Sequence, residues 1–258
     1  MDVAQTTGGG DDLQLGERGG GFWYGRGMGR RRKTEPTGLL LVDKPAGLSS
    51  MDVVRQVRRA GRGVKTGHAG TLDPAATGLL ICCLGRATKA VDRLMGLAKV
   101  YEACVDLSRF TTTDDAEGEP EPVAIETPPT EAAIAAACRS FEGQCEQVPP
   151  AHSAVRVGGQ RAYALARQGE AVELPTRSVR IDRVEVRHID WPRVDLRIAC
   201  GKGTYIRSIA RDLGRSLGTG GHLSALRRAE IGEYNVADAW SLDQLPDRLE
   251  AADLWPMP

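Results

Sequence analysis

Gly67-His68-Ala69-Gly70-Thr71-Leu72-Asp73-Pro74-Ala75-Ala76-Thr77-Gly78-Leu79-Leu80 carries a single carboxylate, Asp73, between small and turn-forming residues. Pro74 disfavours helical geometry at Asp73 and removes a backbone donor. Gly67, Gly70 and Gly78 let the backbone bend and a bulky ligand come close. Leu79 to Leu84 is a short apolar run, read most simply as a buried strand. The stretch predicts a loop that holds one acid over the end of a core strand, and loops on rigid scaffolds are where chemistry sits. By itself, Asp-Pro is better read as a plain turn in which Asp73 caps its own backbone.

Upstream, Gly38 to Val42 reads as a strand and leads into Asp43-Lys44-Pro45-Ala46-Gly47. A helix is expected next, with Ser49 as N-cap, Asp52 completing the cap and Gly61 as the C′ residue. Val53, Val54 and Val57 form its apolar face. Arg55, Arg58, Arg59 and Arg62 crowd the other side, with Lys65 just beyond. They are a solvated face or a guide for a polyanion.

Downstream, Ala87 to Leu97 is expected to be helical. Lys99 to Leu107 alternates, with Tyr101, Ala103, Val105 and Leu107 on one face of a strand. Thr111 to Gly118 is a polar loop, and the acid-rich stretch through Glu131 is a solvated insertion. Thr130 opens an alanine-rich helix that directs Ile134, Cys138 and Phe141 inward and stops at Gly143. Residues 159–169 read as a short helix. Val179 to Ile189 and Val194 to Cys200 are strands. Gly201 and Gly203 then permit a turn into a helix whose apolar face is Ile206, Ile209, Ala210, Leu213 and Leu217. Arg207, Arg211 and Arg215 recur every four residues on another face, and Arg211 and Arg215 are expected at the surface. A last strand and a short helix, capped by Ser241 with Gln244, follow.

With 258 residues and 41% hydrophobic content the chain can bury one substantial core, or a large domain and a small one. No apolar run approaches the roughly 20 residues of a membrane span, and no secretory leader is visible. Asp11, Asp12 and Glu17 argue against a transit peptide, which leaves the cytoplasm as the default. Six cysteines lack C-x-x-C spacing, so neither a zinc site nor a disulfide framework is supported. There is no phosphate-cradling P-loop and no G-x-G-x-x-G. A net charge of +0 speaks against nucleic-acid binding, although a local basic face is what meets phosphates. Residues 1–36, rich in glycine and arginine and containing Arg30-Arg31-Arg32-Lys33, are expected to be a disordered tail, either a linker or a phosphate-binding arm.

The Asp73 stretch fills every fixed position of G-H-x-G-x-L-D-P-x-A-T-G-[VL]-L, and so closely resembles the catalytic loop of the TruB family of tRNA pseudouridine synthases. Further matches are Gly38 to Ser50, Lys99-Val100-Tyr101 (K-x-Y), Gly203-Thr204-Tyr205-Ile206-Arg207 (G-T-Y-I-R) and Gly218 to Arg228. Together they run from Gly38 to at least Tyr234. The loop at 111–118 resembles T-D-T-x-D-x-x-G with Thr112 in place of an aspartate. At 148–156 the chain departs from the family, and His152 is read as structural.

The resemblance implies an α+β pseudouridine synthase fold, a mixed and mostly antiparallel sheet flanked by helices, over residues 37–258, with no length left for a C-terminal PUA-type RNA-binding domain. It implies isomerisation of uridine to pseudouridine at position 55 in the T-loop of tRNA, by flipping the base and breaking and re-forming its glycosidic bond. Asp73 would be the essential acid, Arg207 its partner, and Tyr101 the residue against the base. His68, Tyr205 and Asp115 would serve the substrate site, and Lys44 either the structure or a phosphate. Neither metal nor cofactor is needed. The tRNA T-stem-loop is the implied partner, with no membrane and no obligatory protein. The rivals are a tRNA chaperone that has lost turnover and a glycoside hydrolase, which usually needs paired carboxylates. Archaeal-type relatives that work with guide RNA share this core but carry an additional C-terminal domain.

Overall fold

A computed structural model describes residues 35–153, 156–157, 160–161 and 174–257. The glycine- and arginine-rich N-terminal stretch, and most of the segment expected to be helical at 159–169, lie outside these residues.

The strands are β1 (Gly38–Lys44), β2 (Thr66–His68), β3 (Thr77–Leu84), β4 (Lys99–Asp106), β5 (Arg109–Thr111), β6 (Pro120–Pro122), β7 (Gly143–Gln147), β8 (Arg156–Val157) and β9 (Gln160–Arg161). They continue with β10 (Arg177–Asp190), β11 (Arg193–Cys200), β12 (His222–Ile231), β13 (Tyr234–Asn235) and β14 (Trp240–Ser241). The helices among the described residues are α1 (Ser50–Ala60), α2 (Val91–Gly96), α3 (Glu131–Arg139) and α4 (Ile206–Leu217). One large sheet runs β14-β1-β3-β12-β4-β11-β10-β7, with β2 added to β3 and β13 to β12. The β12–β3 and β14–β1 pairings are parallel and the rest antiparallel, so the fold is α+β with a mixed, mostly antiparallel sheet.

The unbroken apolar run of β3 has a simple cause: both of its faces are covered. Leu80, Cys82 and Leu84 pack under Val53, Val54 and Val57 of α1, while Leu79, Ile81 and Cys83 join Ala87 and Leu94 on the opposite side. Each fully buried leucine contributes about 1.5–3 kcal/mol over an exposed one, which makes β3 a stiff support for whatever its N-terminal end carries. A third cluster, from β4, β10, β11, α3 and α4, fills the other half of the sheet.

Ser49 caps α1 through a reciprocal box with Asp52, as the sequence suggests. The end of α1 differs from expectation. Gly61 has φ −78°, and the left-handed positions are Arg62 and Gly63. Glycine is needed at 61 for space, because a Cβ would sit 2.8 Å from Val64 Cγ1. Gly143 does not stop α3, which ends at Arg139; it opens β7 instead. Residues 85–90 form a 3-10 turn before the shorter α2. Ser241 makes no side-chain cap, and 242–244 is a single 3-10 turn.

Gly78 sets the contact between β3 and β12. Its φ is +101° and a Cβ there would lie 2.3 Å from the Arg228 carbonyl oxygen, so a side chain is excluded twice over.

Candidate active site

The Asp73 loop is tied down on every side. Ser50, the first residue of α1, donates its hydroxyl to Leu72 O at 3.0 Å and accepts the Leu72 N–H at 2.9 Å. The Gly47 N–H reaches Pro74 O at 2.9 Å. Two buried cations complete the cradle. Lys44 Nζ donates to Pro45 O, Leu48 O and Pro74 O at 2.9, 2.7 and 3.1 Å. Arg228 donates to Leu79 O at 2.8 Å, Gly70 O at 3.1 Å and Thr71 O at 3.4 Å.

Lys44 is therefore not placed to contact phosphate. Its side chain is wholly buried and its three donors are all used by loop carbonyls. Burial lowers its pKa, against the pull of Asp73 and with a further push from Arg228.

Asp73 is the exposed tip of this rigid loop, its side chain 45% accessible. Arg207, in the first turn of α4 and almost fully buried, meets Asp73 Oδ2 through Nη2 at 3.1 Å. The guanidinium is aimed by three further groups: Thr113 O at 3.2 Å, His152 O at 3.0 Å and Asp115 Oδ2 at 3.4 Å. Asp115 is itself fixed, since its Oδ1 accepts from the Thr113 hydroxyl at 2.5 Å and from the Glu117 N–H at 3.1 Å. Its carboxylate serves Arg207. His152 contributes its carbonyl to the same guanidinium, in keeping with a structural role.

Tyr101 lies on β4, in register with Arg228 of β12 on one side and Ile198 of β11 on the other. Burial pushes its phenol pKa up, and the neighbouring Arg228 guanidinium opposes the shift. The hydroxyl therefore stays protonated at neutral pH. His68 has its pKa lowered, by burial first and Arg228 second, so its ring is neutral; its buried Nδ1 has no hydrogen-bond partner among the described residues. Tyr205 caps α4, its N–H and carbonyl both held by the Gln147 amide at 2.8 and 3.0 Å. This locks the entry to the helix that carries Arg207, and the Tyr205 ring is left half-buried.

Two features escape a reading of the sequence. Arg228 stands out there only as part of a matching segment, because nothing in Leu226-Arg227-Arg228 tells which arginine turns inward. Arg211, expected at the surface, is buried: it pairs with Asp114 at 2.8 Å and with Asp212 at 2.9 Å. Arg215 is exposed, as expected.

The arrangement supplies one ion-paired, solvent-facing carboxylate, a partly buried tyrosine and a neutral imidazole. No group of three or more potential metal ligands occurs among the described residues. The cysteines are free, and burial raises the Cys83, Cys138 and Cys200 thiols to about 11, so they are poor nucleophiles at neutral pH.

Comparison with known proteins agrees with this layout. Residues 58–206 match the family described as TruB family pseudouridylate synthase (N terminal domain), and residues 207–254 match the tRNA pseudouridylate synthase B C-terminal domain. The second match begins at Arg207 and includes β12, which lies in the middle of the same sheet. The chain is 48% identical over 216 residues to tRNA pseudouridine synthase B of Mycobacterium avium (strain 104), covering 82% of this chain and 70% of that one. For the protein of the same name from Thermobifida fusca (strain YX) the identity is 50% over 220 residues, with 81% and 74% covered. Among solved structures, a chain of a Cbf5-Nop10-Gar1 complex aligns with a TM-score of 0.63 and 29% identity over 81% of this chain, which spans about half (54%) of that one. Sequence matches on both sides of Arg207 and a sheet that unites them lead to one assignment: the chain belongs to the TruB family of pseudouridylate synthases.

Proposed function

We propose that the protein converts uridine to pseudouridine at position 55 in the T-loop of tRNA. The observation that carries this reading is the 3.1 Å Arg207–Asp73 pair, in which a half-exposed acid stands on a loop held by Lys44, Ser50 and Arg228. The reaction breaks the bond from uracil N1 to ribose C1′, turns the base and joins C5 to C1′. A proton leaves C5 and N1 gains one, so no atom is lost overall. Asp73 acts as a carboxylate, as nucleophile or as partner to the electron-poor sugar. Arg207 holds its oxygens in place through a planar contact that a lysine cannot copy. The target base must be flipped out of its loop to reach the acid, and Tyr101 offers it an aromatic surface and a group near C5. In this reading His68, a neutral imidazole on the strand beside the loop, its Nδ1 unpartnered among the described residues, fills the gap that the base leaves.

Phosphate contacts are available on α1 and beyond. Arg58, Arg59, Arg62 and Lys65 are exposed, and no ion pair engages them among the described residues. This local face answers the objection raised by the chain's zero net charge.

The test is tritium release from C5-labelled uridine in a tRNA transcript, with Asp73→Asn beside the wild type. Release at position 55 by the wild type alone is expected. Bound tRNA with no release from either protein would overturn the enzymatic reading in favour of a non-catalytic tRNA binder.

A further inference from the structure

Arg207 and Arg211 lie one helical turn apart on α4 and are both nearly buried, at 6% and 8%. Adjacent acids of one loop meet them: Asp115 faces Arg207 and Asp114 faces Arg211. This split requires an unusual backbone. Asp114 has φ +61°, a left-handed conformation that few residues with a side chain adopt, although aspartate tolerates it better than most. The twist sends two consecutive carboxylates to two successive turns of the helix. Here the chain also leaves the T-D-T-x-D-x-x-G pattern: Thr112 stands at an acidic position, and an acid stands at the unspecified fourth position, Asp114.

We propose that Asp114 and Arg211 are a positioning pair that holds the 113–115 turn against α4, and so keeps Arg207 aligned with Asp73. The proposal rests on the pseudouridine synthase reading of the site. Arg211 joins three segments, since it also donates to Val148 O at 2.9 Å and to Asp212 at 2.9 Å. The turn presents Thr113 O and Asp115 to Arg207, at 3.2 and 3.4 Å. A turn free to rock would carry both of these contacts with it. The main chain at one side of the turn is secured independently, with Leu223 N–H bonded to Asp114 O at 3.0 Å and Ala116 N–H bonded to Leu223 O at 3.0 Å, which leaves the side-chain pair to set how the turn seats on α4. Loss of the pair therefore changes local geometry without unfolding the loop.

Asp114→Gly is the informative variant. Glycine accepts the left-handed backbone, and Arg211 keeps Asp212 as its counter-ion. Single-turnover tritium release from tRNA should fall by about 10- to 100-fold, the cost of a misplaced reacting group, with tRNA affinity and melting temperature close to wild type. If this variant melts early, Asp114→Asn keeps the shape and removes only the charge. Introduced into Arg207→Lys, the same change should cost much less than it does alone, because both act through one guanidinium. A wild-type rate at Asp114→Gly, or losses that multiply in the double variant, would overturn the proposal. Failure of the wild type itself to release tritium would instead overturn the functional reading on which it rests.

Discussion

Arg207 and Arg228 are both almost completely buried, and both grip the Asp73 loop, yet they do so in opposite ways. Arg228 directs its donors to main-chain carbonyls at Gly70, Thr71 and Leu79. Arg207 touches the loop only through the Asp73 carboxylate. One arginine fixes the platform and the other aims the group that stands on it. A buried guanidinium can thus serve stability or chemistry, and the atoms it meets decide which.

Substitutions should separate the two roles. Arg228→Met orphans the buried Leu79 carbonyl of β3 and takes the donor from the part-buried Gly70 and Thr71 carbonyls of the loop, at a cost of about 1–3 kcal/mol for each that water does not reach, offset in part by no longer burying a charge. A stability loss of about 4 kcal/mol by denaturant titration is expected, and a loss under about 1 kcal/mol would remove Arg228 from the platform. Arg207→Lys should slow single-turnover release by about 100-fold, near 2.7 kcal/mol of barrier, while the protein still melts close to the wild type. A wild-type rate would break the pairing with Asp73. Lys44→Met tests whether a second cation shares the platform role; a stability loss of about 2 kcal/mol with little change in tRNA affinity is expected. A large affinity loss at unchanged stability would return Lys44 to phosphate binding.

The smallest effect is a pH dependence. Burial lowers the folded-state Lys44 pKa from its ordinary 10.5, so the folded protein sheds this proton before the unfolded chain does. Lys44 then makes stability rise as pH climbs from the lowered value toward 10.5, and Lys44→Met should lack that contribution in stability curves compared across alkaline pH.

Much of the site is legible in the sequence because it is local. Asp73, its proline and its flanking glycines form one loop in one stretch, and Arg207 sits in a run that opens a helix. The alternation at Lys99 to Leu107 is enough to place Tyr101 on an inward face. What escapes depends on partners far away in the chain. Arg211 looks like one of three solvated arginines until the 111–118 loop, nearly 100 residues earlier, folds over it. Arg227 and Arg228 are adjacent, yet strand alternation sends one to Asp43 in a half-exposed pair and the other into the core. The glycines at 61 and 143 mislead for a related reason. Glycine marks both a special φ and a need for space, and the sequence does not distinguish the two.

β12 lies between β3, whose N-terminal end supports the acid, and β4, which carries the tyrosine. During vectorial synthesis those two strands emerge long before the strand that joins them. Until residue 231 has left the ribosome, β3 and β4 each present an open edge where β12 belongs, and the nascent chain has no assembled catalytic centre. Competence should therefore arrive late and at once, when one long-range insertion closes the sheet and brings Arg228 beneath the loop. A topology of this kind, with its central strand made late, folds slowly for its size.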